Sequence, residues 1–117
     1  MDLASAIEKH AEWKTKFRSA ISKQEKMDDV TISKDNCCEL GKWLHGESKY
    51  KFSKFQSHAD CVAKHAAFHI EAGKVAKTIN AGKYTEAEAM LATGKNYANA
   101  SSAVGVAIMR LKKEAGL

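Results

Sequence analysis

The chain has 117 residues, of which 44% are hydrophobic and 28% charged, with a formal net charge of +5. This composition describes one domain, residues 1–117, able to bury roughly 65% of its unfolded surface, and is globular rather than disordered. No apolar run approaches the ~20 residues of a membrane span, and the lysines are scattered among acidic residues without the basic stripe that nucleic acid requires.

The first predicted helix has Asp2 as its N-cap and runs to about Gln24, with Leu3, Ala6, His10, Trp13, Phe17 and Ala20 on one face. Its opening, MDLASAIEKHAEW, lacks the basic and apolar regions of a leader peptide, so a cytoplasmic location is expected. MDDVTISKDN, residues 27–36, reads as a polar connector. Asn36 with Glu39 forms a capping-box pattern that opens a short second helix carrying Leu40, Trp43 and Leu44 and stopping near Gly46. After a loop, Ser53 with Gln56 predicts the start of a long helix ending near Gly82. Its inward stripe is Phe55, His58, Val62, His65, Phe68 with His69, Ala72, Val75 and Ile79. Thr85 with Glu88 opens a last helix to about Glu114, with Met90, Tyr97, Ser101, Val104, Ile108 and Leu111 on one face and Gly116 as its stop. Nothing reads as a strand. The fold class is all-α, an antiparallel four-helix bundle with a short second helix. Gly73, Gly94 and Gly105 fall inside predicted helices, at a cost of about 1 kcal/mol each against Ala that close helix approach would offset.

Four chemically capable side chains fall on inward faces of three helices: His10, Cys38, His65 and His69. His65 and His69, the ends of HAAFH, stand one turn apart on one face. Burying four such groups is costly unless they are satisfied, and one metal ion satisfies all of them. Zinc takes imidazole and thiolate in tetrahedral sites. Cys37, Cys38 and Cys61 make an odd count, as expected of a reducing compartment where a cysteine serves as metal ligand or reactive thiol. His58 and Cys61 stand one or two turns before His65 as alternative ligands, or as a partly exposed ring and a small buried residue. Cys37 reads as a bystander, His45 as exposed, and Trp13 and Trp43 as core anchors.

HAEW (His10 to Trp13), CELGKWL (Cys38 to Leu44) and HAAFH (His65 to His69) together resemble, in order and spacing, the signature of the chemoreceptor zinc-binding domain family. The resemblance covers the whole chain. It implies a helical bundle holding one Zn2+ through His10, Cys38, His65 and His69. It also implies a sensory module of bacterial signal transduction, attached to a soluble chemoreceptor or a diguanylate cyclase or standing alone, and often a homodimer. The family is implicated in sensing zinc and oxidants such as hypochlorous acid, which makes Cys38 the redox-reactive residue. A shell of four protein ligands is closed, as in structural or regulatory sites, so no enzyme is expected. Two other readings stay open. One is a small metal-dependent hydrolase in which three His leave an open site without Cys38. The other is an oxygen carrier of the hemerythrin kind, which the absence of Glu and Asp from the inward stripes disfavours.

Overall fold

The computed structural model describes all residues, 1–117. It contains eight helices and no strand: α1 (Leu3–Ala11), α2 (Trp13–Lys23), α3 (Asp29–Ile32), α4 (Glu39–His45), α5 (Glu47–Phe52), α6 (Gln56–Asn80), α7 (Tyr84–Met90) and α8 (Asn96–Ala115). They form an elongated bundle of 43 × 25 × 19 Å with four members. α1 and α2 form the first member, the short helices α3, α4 and α5 the second, α6 the third, and α7 with α8 the fourth.

Contacts along the members fix their directions. The amide of Asn80, the last residue of α6, bonds both the N–H and the carbonyl of Met27, just after α2, at 2.8 Å each. The first and third members therefore run the same way. Ser57 at the start of α6 donates to Glu114 at the end of α8, and Arg18 of α2 pairs with Glu88 of α7. The fourth member therefore runs opposite to both. The second returns the chain from one end to the other, giving the expected antiparallel, up-and-down bundle. One core of 20 buried residues fills it, with Phe17, Phe68, Leu3, Leu40, Leu44 and Ile108 among its largest side chains.

The structure departs from the sequence expectations at helix ends. The first helix is interrupted at Glu12, whose backbone stays right-handed helical (φ −64°, ψ −20°), so α1 and α2 continue as one rod. Asp2 caps α1 as expected, accepting from the Ser5 N–H at 3.1 Å. The other three caps move, and Thr85 lies inside α7, which starts at Tyr84 behind Lys83. Cys38, not Asn36, caps α4. Ser53 closes α5, and α6 starts at Gln56 behind an extended Phe55 with no side-chain cap. The residues expected to form a loop after Gly46 are helix α5, and the connector over 27–36 contains α3. The last helix is broken as well. Gly94 has φ +86°, a left-handed conformation no α-helix accommodates, so 91–95 is a turn between α7 and α8, pinned by the fully buried Leu91.

Of the three glycines expected inside helices, Gly94 is thus outside one, and Gly73 has a packing reason given below. Gly105 in α8 has open space where a Cβ would lie. Gly105→Ala should therefore raise unfolding stability by about 0.5–1 kcal/mol, since the helix gains propensity and nothing is displaced. Urea denaturation of the two proteins at equal concentration checks this, and a lower midpoint would show that the space is used.

Candidate metal centre

His10 lies in the last turn of α1, buried, and its Nδ1–H donates to the Ala6 carbonyl one turn back at 2.7 Å. His69 of α6, also buried, donates from Nδ1 to the Ile32 carbonyl at the end of α3, 2.8 Å away. Both bonds fix the proton on Nδ1 and leave the Nε2 lone pair facing inward, the tautomer a metal requires. His65 is fully buried one turn before His69, with ring centroids 4.5 Å apart. Its Nδ1 has no hydrogen-bond partner. Phe68 packs against His10 and His69 in T-shaped pairs, at 5.3 and 5.4 Å between centroids.

Cys38 completes the group from the N-terminus of α4. Its backbone is extended (φ −84°, ψ 163°), and its sulfur accepts the Gly41 N–H at 3.3 Å, the place a serine or aspartate oxygen takes in an ordinary N-cap. Asn36 does not serve there because its side-chain oxygen accepts from the exposed Cys37 thiol instead.

Two glycines clear the way for this geometry. A Cβ on Gly41 would fall onto the Asp35 carbonyl, so only glycine lets the 35–38 segment fold across the first turn of α4. A Cβ on Gly73 would lie 2.6 Å from the Ser33 Cβ, so glycine lets the end of α3 approach α6 closely enough for the Ile32 carbonyl to reach His69. Close approach is the reason for Gly73, although the partner is a loop residue rather than a long helix.

The four donor atoms lie within 4.8 Å of one another. Cys38 Sγ is 3.9, 3.3 and 3.7 Å from the Nε2 atoms of His10, His65 and His69. His65 Nε2 is 3.1 Å from that of His10 and 3.0 Å from that of His69. With Zn–N near 2.0–2.1 Å and Zn–S near 2.3 Å, a tetrahedral ion has N···N edges of about 3.3 Å and N···S edges of about 3.6 Å. The five edges given above lie within about 0.3 Å of those values. Hydrogen bonding does not explain it equally well. With Nδ1 of His10 and His69 protonated, their Nε2 atoms can only accept; a single His65 N–H serves one of them, and the other is left to the Cys38 thiol, a weak donor 3.7–3.9 Å away. The orphaned lone pairs and the donor chemistry fit one zinc ion.

Burial is the first cause of every titration shift here. It lowers the pKa of His10 and His69, and takes His65 from 6.5 to about 3, with mutual repulsion among the rings adding to the effect at His65. It also raises that of the Cys38 thiol, so a cation at the centre is what would hold the sulfur as thiolate. The Asp35 carboxylate opposes burial at His65 and His69 and is the acidic neighbour of the group. It accepts from the exposed His45 at 2.9 Å. Sequence reasoning passed over Asp35 as part of a polar connector, and no periodicity could have marked it.

His58 and Cys61 are not part of the cluster. His58 is buried rather than partly exposed, and its Nε2–H donates to Ser48, which donates to the Trp43 carbonyl, joining the α4–α5 corner to α6. Cys61 is a fully buried apolar residue, its thiol pushed up to about 12 by burial. Trp13 and Trp43 are half-buried, packed against Phe17 and Phe52.

The sign of the acid response follows. In the metal-free chain, unfolded imidazoles take up protons near 6.5, whereas the folded His65 resists down to about 3. Between those values the unfolded state binds more protons, so stability falls as pH falls through that window and is unaffected above it. Urea midpoints of the metal-free protein should decline across this range, and less so in His65→Leu. A flat profile would mean that the rings are solvated.

The chemoreceptor zinc-binding domain model matches residues 10–76, a span that begins at His10 and takes in Cys38, His65 and His69. No similar curated protein and no similar solved structure was found. The match covers more than half of the chain and contains all four members of the cluster, so the chain belongs to the chemoreceptor zinc-binding domain family, the zinc-binding modules of signalling proteins.

Proposed function

We propose that His10, Cys38, His65 and His69 bind one zinc ion per chain, and that residues 1–117 form a cytoplasmic regulatory domain rather than an enzyme. The observation that carries this reading is the placement of Cys38 Sγ within 3.3–3.9 Å of all three imidazole Nε2 atoms. A hydrolase would need the sulfur outside the shell and a position left for water. A closed shell offers a substrate nothing, but it can be filled, emptied or oxidised. Family membership supports a signalling role, with an output module in the same chain or a partner. No helix is long and apolar enough to cross a membrane.

Two inputs act through the same sulfur. Low zinc empties the shell. An oxidant such as hypochlorous acid attacks the thiolate: sulfur gains oxygen to become a sulfenic acid, and chlorine leaves as chloride with the electron pair. Sulfenic acid is a poorer ligand. Either input removes the sulfur's coordination bond, which leaves α4 tied at that end only by the Gly41 N–H to the Cys38 sulfur and frees it to move. Thiols restore the sulfur by reduction. Purified protein should contain one zinc per chain, and His65→Ala or His69→Ala should lose it, by metal analysis. After stoichiometric hypochlorous acid, mass spectrometry should find Cys38 modified first, with a change in helix content. Protein that takes up no zinc overturns the site, and prior modification of Cys37 or Cys61 overturns the switch.

The domain also acts as a homodimer through the outer face of α8. Val106 and Met109 are 51% and 57% exposed there, and Ala98 and Ala103 are half-buried. Ala107 packs inward at 1% exposure and belongs to the core. Light scattering should give twice the monomer mass at high micromolar concentration, and Val106→Glu should halve it. A monomer throughout overturns the dimer.

A further inference from the structure

Three of the four cluster residues are buried, and Cys38 alone is half-exposed. The opening above it is a cleft of about 380 Å³ between the N-terminal part of α1, Trp13 of α2 and the first turn of α4. Ala6, His10 and Cys38 line it, so it reaches two members of the cluster directly. On the other side of the 35–38 segment, a hollow beside Cys37, Ala66 and Ile70 reaches none of the four. One salt bridge joins the two sides of the cleft: Lys9 Nζ to Glu39 Oε2, 3.1 Å. Each partner adjoins a cluster residue in sequence, Lys9 before His10 and Glu39 after Cys38. Their side chains are 58% and 76% exposed, so the bridge is weak and opens readily.

Resting on the zinc reading above, we propose that this cleft is the route by which a zinc ion enters and leaves the cluster, and that Lys9–Glu39 is the bar across it. A divalent cation, or a small chelator approaching it, meets the sulfur and His10 first. His65 and His69 lie beneath and are reached only past them. The bar ties α1 to α4 beside His10 and Cys38, the two members of the shell that line the cleft. Its opening therefore sets how fast zinc exchanges, without changing which atoms hold it.

The test follows transfer of zinc from the loaded 117-residue chain to 4-(2-pyridylazo)resorcinol, beside its equilibrium affinity. Lys9→Glu should speed transfer by roughly two- to five-fold, the range an exposed ion pair commands, at unchanged affinity. Adding Glu39→Lys should restore the original rate. Ser5→Trp, which fills the cleft, should slow transfer several-fold, while Ala66→Trp on the opposite hollow should leave it unchanged. Lys9 and Glu39 lie on the surface, so that arm decides even if a bulky residue at position 5 disturbs α1. Equal rates in all variants, or slowing by Ala66→Trp alone, overturn the route. Failure of the zinc reading itself looks different: the unaltered chain binds no zinc, or His65→Ala keeps it in full.

Discussion

Three imidazole nitrogens and one sulfur converge in a space where the His65 N–H and a weak, distant thiol are the only donors available to them. This is the constraint on which the rest of the structure depends. In water each lone pair would find a proton. Between α1, α4 and α6 water is largely excluded, and burial keeps the rings neutral. Neutral rings with inward lone pairs repel one another unless a cation sits among them. The same arrangement that would weaken a metal-free bundle becomes a source of stability once a cation binds, because binding free energy and folding free energy are then one quantity.

The backbone supplies much of this geometry. The carbonyls of Ala6 and Ile32 orient two of the rings, and the Gly41 N–H holds the sulfur. Those groups reach their places because Gly41 and Gly73 leave room for the 33–38 segment to lie against two helices. A methyl at either position would push that segment away and misplace a donor atom without altering any side chain of the cluster.

The second member of the bundle is the most divided. α3, α4 and α5 have four, seven and six residues, too short to be stable alone. α4 is held at one end by Cys38 and at the other by the Ser48–His58 bond to α6. Long helices on either side form a fixed frame, and the short one bearing the sulfur is the element with least to lose by moving. That division of rigidity suits a domain whose family works in signalling.

Periodicity by itself determined the class of fold and the inward faces. A spacing of three and four puts Leu3, Ala6, His10, Phe17 and Ala20 on one side whatever the rest of the chain does, and it puts His65 and His69 a turn apart. Motif order then singled out Cys38 from its neighbour Cys37, and the structure brings Cys38 to the three imidazoles while leaving Cys37 exposed. Helix ends were less legible, because a capping pattern states only what local hydrogen bonds are available. At Asn36, Ser53 and Thr85 the caps were overruled by the path the chain takes between long helices, and at Gly94 by a backbone conformation no helix allows. Only the tertiary structure decided that His58 bonds Ser48 instead of joining the cluster, that Asp35 lies beside it, and that backbone carbonyls fix the ring tautomers. The Ile32 carbonyl reaches His69 from 37 residues away through a group every residue carries, and Ser48 and Asp35 are ordinary polar side chains until the fold sets them beside a histidine, so none of these leaves a mark in the order of residues.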